Sequence, residues 1–274
     1  MRKIFIILFG ILVLAPFSAH AESAYDRVMR TGVIRCAYFV VPPEFNKDPN
    51  TGKLSGIGYE VTEAVAHLLS LHVDWVEEVG FGEQAAGLSA NRYDAVCSSV
   101  FNRASLSRVA DFTIPFMYTP VGAFIRLGDS RFNKGVVSIN DPSMTIATID
   151  GAADEIADVD FPNARKFSMP QSSSIAMLLD SVATKKADVT FTYLANFYRY
   201  DKMNPGKLSV LKTDRPLRAY GNTLMIGRGE SEFRDMLNTA LNELLNSGAV
   251  DAIIAKYEAV PGSYYRVNSP YRQP

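Results

Sequence analysis

The stretch Asp94 to Phe112 reads Asp-Ala-Val-Cys-Ser-Ser-Val-Phe-Asn-Arg-Ala-Ser-Leu-Ser-Arg-Val-Ala-Asp-Phe, and it gathers side chains that could hold a small polar molecule. Ser98 and Ser99 offer hydroxyls, Asn102 an amide and Arg103 a guanidinium. A guanidinium binds planar oxyanions through two parallel hydrogen bonds, which lysine does not copy. The apolar run Ala95 to Cys97 that precedes them is too short for a helical pattern and fits a buried parallel strand. Ligands of open α/β sheets sit just beyond the carboxyl ends of strands. A strand that runs straight into these residues offers hydroxyls, an amide and a guanidinium to something small.

A second stretch repeats the pattern. Leu88 to Val100 and Val182 to Leu194 each run from a helix end through a basic turn to an aspartate, a buried strand and a hydroxyl residue. The aspartates are Asp94 and Asp188; the second strand reads Asp188 to Thr192, and Tyr193 opens the helix that runs on to Tyr200. Two such units predict two lobes whose strand ends face one cleft.

Other candidates sit where the surrounding elements would turn them toward that cleft. The strand Val33 to Tyr38 runs into Phe39 and an aromatic loop held extended by Pro42 and Pro43. Phe81 lies between Gly80 and Gly82, which predicts an exposed ring. Met144 to Thr148 reads as a strand, and Gly151-Ala152-Ala153-Asp154-Glu155 starts a helix whose free amides can hold an anion. Val61, Val65, Leu68 and Leu69 give a helix over Tyr59–Leu71 one apolar face. Pro115–Arg126 and Leu217–Ile226 are extended and could cross between lobes, while Ser231–Tyr257 holds two helices broken at Ser247-Gly248. The tail from Pro261 shows no periodicity. Alternating strands and helices over this length predict an α/β fold with mostly parallel sheets flanked by helices, and the two crossings predict a two-strand hinge.

Met1-Arg2-Lys3, the apolar run Ile4 to Leu14 and Ala19-His20-Ala21 read as a secretory leader cleaved after Ala21, placing the mature chain outside the cytoplasm. Of 28 basic residues, removal of Arg2 and Lys3 leaves 26 against 29 acidic ones, so the charge gives no case for nucleic acid. Cys36 and Cys97 both fall in runs read as strands. Neighbouring strands are spaced for a disulfide, and two buried thiols fit equally. After cleavage only His67 and His72 remain, with no ligand spacing around them, so no metal and no cofactor are implied.

The chain resembles the extracellular solute-binding proteins of family 3, the amino-acid receptors of ABC importers, over about residues 26–259. The resemblance rests on the first loop ending at Pro43, on Leu54-Ser55-Gly56-Ile57-Gly58-Tyr59-Glu60, on the Asp94–Phe112 block, on the Gly151 helix start and on Asn246-Ser247-Gly248 with Ile253 and Lys256-Tyr257. It implies a type II periplasmic-binding-protein fold. Residues 22–119 and 218–274 would form one lobe and 120–217 the other. It also implies a monomer that takes a small-molecule ligand to a permease in the inner membrane, or alternatively to a sensor protein, and no catalytic residues. An enzyme of the cyclohexadienyl-dehydratase type on the same scaffold is the other alternative, with Glu44 the nearby acid. The family's ligand-clamping arginine falls on Leu106, its ammonium-binding acid on Tyr193 and its second-lobe hydroxyls on Ala152 and Ala153, while Phe81 stands at its aromatic stacking position and either Tyr38 or Phe39 supplies its first-loop aromatic. A carboxylate-bearing solute bound by Arg103, for which a free α-ammonium is not essential, is therefore expected.

Overall fold

Asp94 and Asp188 start the repeated units, and the fold treats them alike. Asp94 accepts a hydrogen bond from the Arg35 amide at 2.7 Å and donates its own amide to the Arg35 carbonyl at 2.9 Å. Asp188 does the same with Thr145, at 3.0 and 2.8 Å. Each carboxylate also collects two guanidiniums, Arg27 and Arg35 for Asp94, and Arg126 and Arg131 for Asp188. The aspartates thus tie each strand to its neighbour at the end away from the candidate ligand residues.

The computed structural model describes residues 22–267. The expected leader and the last residues of the chain lie outside these. The strands are β1 (Val33–Tyr38), β2 (Asn46–Lys47), β3 (Leu54–Ser55), β4 (His72–Glu78), β5 (Ala95–Phe101), β6 (Ala110–Phe112), β7 (Met117–Arg126), β8 (Thr145–Thr148), β9 (Arg165–Ser168), β10 (Val189–Tyr193), β11 (Leu208–Val210), β12 (Arg218–Gly227) and β13 (Tyr265–Arg266). The α-helices are α1 (Ala24–Thr31), α2 (Ile57–Leu68), α3 (Gln84–Ser89), α4 (Ala152–Asp160), α5 (Ile175–Ala183), α6 (Leu194–Met203), α7 (Ser231–Asn246) and α8 (Ala249–Tyr257).

The main sheet runs β4-β1-β5-β12-β7-β10-β8-β9. Its halves mirror each other. Three parallel strands, β4-β1-β5 or β9-β8-β10, end on one long antiparallel strand, β12 or β7. The crossings predicted from sequence are these two strands. They pair with each other from Arg218 opposite Val121 to Asn222 opposite Met117. The ladder therefore does not break between the halves, because each crossing strand is long enough to serve its partner and its own half.

The buried apolar clusters separate where the ladder does not. Two draw their buried members from residues 28–117 and 224–264, and two from residues 121–211. In the first half α2 buries Ile57, Val61 and Val65, but Leu68, expected on that apolar face, is 41 % exposed at the helix end. Cys36 on β1 and Cys97 on β5 form a disulfide with a Cα separation of 5.7 Å. The tail departs from its irregular reading. Tyr264 is buried and Tyr265–Arg266 pairs with β7.

Candidate functional site

Where the halves meet, a narrow cleft opens at the carboxyl ends of β1, β5, β8 and β10. It is lined by Phe39, Phe81, Ser98, Ser99, Arg103, Gly151, Ala152, Ala153, Thr192 and Tyr193, which the sequence singled out, and by Val41, Glu44, Gln84, Leu106, Ile175, Asn222 and further apolar side chains. Two singled-out residues are not among the lining. Tyr38 stacks on Phe45 at 5.0 Å and meets Trp75 edge-on, because the alternation of β1 turns it to the opposite side from Phe39. Asn102 is exposed and lies against Gly221 of β12, to whose carbonyl its amide donates at 3.1 Å.

The first-half wall depends on close packing at the start of α2. A Cβ on Gly56 would stand 2.6 Å from the Glu44 carbonyl oxygen, and one on Gly58 would stand 2.8 Å from Ser99 Oγ. Glycine at both places lets the 39–45 loop and the end of β5 converge on the helix. Paired amides and carbonyls of Val41 and Phe45, at 2.9 and 3.0 Å, close that loop with Glu44 inside it. Ser98 Oγ accepts from the Phe39 amide at 3.0 Å and fixes where the ring points. Ser99 has a φ of 63°, in the left-handed region that serine rarely adopts. Its hydroxyl is buried and has no hydrogen-bond partner. Such backbone strain and an unmet polar atom are features that collect at ligand sites.

Phe81 is half-buried rather than exposed. Its ring lies 5.0 Å from Phe39 and packs against the second half beside Ile175. The glycines flanking it allow close approach to the opposite half instead of release to solvent, and a Cβ on Gly82 would meet Gln171 at 2.5 Å. On the second-half wall, Thr192 Oγ1 accepts from Asn196 at 3.0 Å. The first turn of α4 has no side-chain cap, and its residues Ala152 and Ala153 line the cleft.

Besides the Arg218–Asp160 ion pair where β12 begins, two polar bridges join the halves across the cleft. Arg103 forms an ion pair with Glu155 in the first turn of α4, and Ser105 donates to the same oxygen. The guanidinium singled out for a ligand anion is thus held by an internal carboxylate. The second bridge centres on Glu44, which the sequence placed only near the site. Its carboxyl is 4 % exposed, with Oε2 accepting from Tyr193 at 2.8 Å and Oε1 from Tyr264 at 2.6 Å. Burial pushes its pKa up to about 7, against the opposing pull of the two phenols. The Tyr193 phenol is pushed well above its ordinary value by burial and then by Glu44. Tyr264 was outside the candidate set because its chain segment carries no pattern. Only its partner 220 residues away gives it a role.

Residues 34–259 match the bacterial extracellular solute-binding proteins, family 3, and the chain belongs to that family. A relative from Haemophilus influenzae, described as "Probable amino-acid ABC transporter-binding protein", is 29 % identical over 113 residues. That match spans 41 % of this chain and 43 % of the relative, less than half of its length. Among solved structures, the ancestral amino acid-binding protein AncCDT-1, a precursor of cyclohexadienyl dehydratase, superposes with a TM-score of 0.74 at 20 % identity. The superposition covers 86 % of this chain and 99 % of that one. An ancestral arginine-binding protein bound to arginine gives 0.71 at 19 % identity, covering 82 % and 98 %. These likenesses establish the type II periplasmic-binding-protein fold.

Proposed function

We propose that the cleft captures a small, polar, carboxylate-bearing solute, an amino acid or a related compound, and that the protein delivers it to the permease of an ABC importer. It does so as a monomer in the periplasm, after a leader at residues 1–21 is removed. Lobe one is residues 22–119 and 218–274, and lobe two is residues 120–217. The separation of the apolar clusters supports that division, and both cuts fall beside the β7–β12 pairing. Periplasmic binding proteins close about such hinges, and the solute favours the closed state through its contacts to both lobes.

One observation carries the anionic end. Arg103 and the uncapped first turn of α4 both line the cleft, and the Arg103 guanidinium is already paired with a carboxylate, that of Glu155 in that turn. A solute carboxylate would take that place, with Phe39, Phe81 and Leu106 around its apolar part. A thermal-shift screen of amino acids, their derivatives and small carboxylates tests this. Binding to the native state raises the apparent midpoint. A screen in which no carboxylate raises it refutes the reading.

A second reading, an enzyme on the same scaffold, is favoured by Glu44 alone. It is a buried carboxyl in the cleft that exchanges a proton near neutral pH, which general acid–base work requires. Consumption of a bound carboxylate on incubation, followed by NMR and abolished by Glu44→Gln, would favour it over the first.

A further inference from the structure

We infer that residues 258–266, the chain that follows α8, form a strap behind the cleft, and that Tyr264 on it is a positioning residue: by holding the Glu44 carboxyl it sets how readily the halves part when no solute is bound. The inference goes beyond solute capture and rests on the reading that the halves move about the β7–β12 pairing.

Three observations carry it. The family match ends at residue 259, yet the chain beyond is tied down. The Glu258 carboxylate accepts from the Tyr264 amide at 3.1 Å and from Arg266 at 2.8 Å, and Arg266 also pairs with Asp251 of α8. Tyr265–Arg266 adds a third strand to the β7–β12 pair at Met117 and Tyr118. Second, the strap turns one side chain inward. Tyr264 is buried in the first-half core, and its hydroxyl donates to Glu44 Oε1 at 2.6 Å. Third, the other oxygen of that carboxyl takes a bridge from the second half, the Tyr193 bond at 2.8 Å. Parting the halves breaks the Tyr193 bond and leaves the Tyr264 bond in place.

Proton uptake links the strap to opening. Burial raises Glu44 to about 7, and the Tyr264 hydrogen bond is the strongest of the contacts that oppose it. A phenol O–H bonds an ionised carboxylate more strongly than a protonated one, so it favours the charged form. A carboxyl whose pKa is raised in the closed form stabilises that form below its ordinary value. The contribution is lost as pH rises through the raised value. Tyr264 thus holds opening near neutral pH, and without it the closed form would keep its proton to higher pH.

The titratable groups that face the carboxyl are the two phenols. Other charges around them are engaged elsewhere: Glu60 of α2 with Lys256 of α8, Glu258 with Arg266, Arg103 with Glu155, and Asp150 with Gln171. Arg199 of α6 acts on Tyr193, and Glu258 on Tyr264.

Small-angle scattering of the solute-free mature protein from pH 5 to 8.5 tests this. The wild type is expected to expand as pH rises. Tyr264→Phe should expand about one pH unit higher, the size of one hydrogen bond to a charged group. Arg266→Ala, which loosens the strap without touching the carboxyl, should move the profile the same way and stands in if the phenylalanine variant does not fold. Glu44→Gln should keep one size throughout. A Tyr264→Phe profile that coincides with the wild type's, with only the melting temperature lowered, means a merely structural tyrosine and overturns the inference. A wild type of constant size overturns it too, provided that Tyr193→Phe with Glu155→Gln, which cuts both bridges, gives a larger particle. If that double variant also keeps the wild-type size, the reading of moving halves falls as well.

Discussion

Glu44→Gln gives the most direct reading of how the cleft is charged when empty. The folded carboxyl holds its proton up to about pH 7, whereas the unfolded chain releases it near 4.5. A raised carboxyl pKa means that this group's contribution is fully present below pH 4.5 and is lost as pH rises to 7, with no further loss above. The gap of about 2.5 units corresponds to roughly 3 kcal/mol at 1.36 kcal/mol per unit. Glutamine has no proton to lose. Its amide can accept from one phenol and donate to the other, so the substitution itself costs about 1 kcal/mol. The variant is therefore expected to be slightly less stable than the wild type at pH 4.5 and about 2 kcal/mol more stable at pH 8. Urea unfolding across pH 4.5–8 reads this out. Trp75, the one tryptophan, packs among Tyr38, Phe45 and Tyr59 and reports by fluorescence. All other groups titrate alike in both proteins, so the difference between the curves isolates Glu44. A difference that stays constant from pH 4.5 to 8 refutes the reasoning.

Further expectations concern the rest of the site and its frame. Arg103→Lys should weaken binding of a carboxylate solute by about tenfold, 1.4 kcal/mol, since lysine cannot reproduce the bidentate contact; unchanged affinity by calorimetry counts against Arg103. Glu155→Gln removes the internal carboxylate that occupies Arg103 and should tighten the same solute, so weaker binding would mean that Glu155 orients the arginine rather than competing for it. Reducing Cys36–Cys97, which closes a loop of 61 residues, should cost about 4 kcal/mol in urea unfolding by loop entropy. Asp94→Ala leaves Arg27 and Arg35 without their shared partner and should cost about 3–5 kcal/mol with solute affinity unchanged; a loss of affinity would place Asp94 in the cleft's machinery.

What the sequence made legible is what neighbouring residues decide. The strand–helix alternation, both crossings, the repeated aspartates and the Gly151 helix start come from patterns within about a dozen residues of each other. The aspartates in particular looked like markers of ligand-bearing strands, and they proved to be the ties at the far ends of those strands. The side on which β1 turns its aromatics was left open between Tyr38 and Phe39, since alternation gives two faces but not which one meets the cleft. The polar bridges were illegible for a physical reason. Arg103 meets Glu155 across 52 residues, and Glu44 meets Tyr193 across 149 and Tyr264 across 220. A carboxylate between two prolines and a phenylalanine carries no local sign that two phenols will enclose it. Phe81 was misjudged as exposed because its glycines were read as freedom, when they permit contact with the opposite half.

The two bridges also bear on how closure and binding are linked. Separating the lobes would break the Tyr193 bond to Glu44 and the Glu155 bond to Arg103 together. Water would then reach Glu44 and return its carboxyl toward the ionised form, because burial is the main cause of its raised pKa. The open cleft would thus present a negative Glu44 and an unpaired Arg103. Closing it empty requires Glu44 to take up a proton and Arg103 to return to Glu155. The empty closed state is therefore favoured by acid. Small-angle scattering of the unliganded protein would report this as a more compact particle at pH 5 than at pH 8, with Glu44→Gln compact at both.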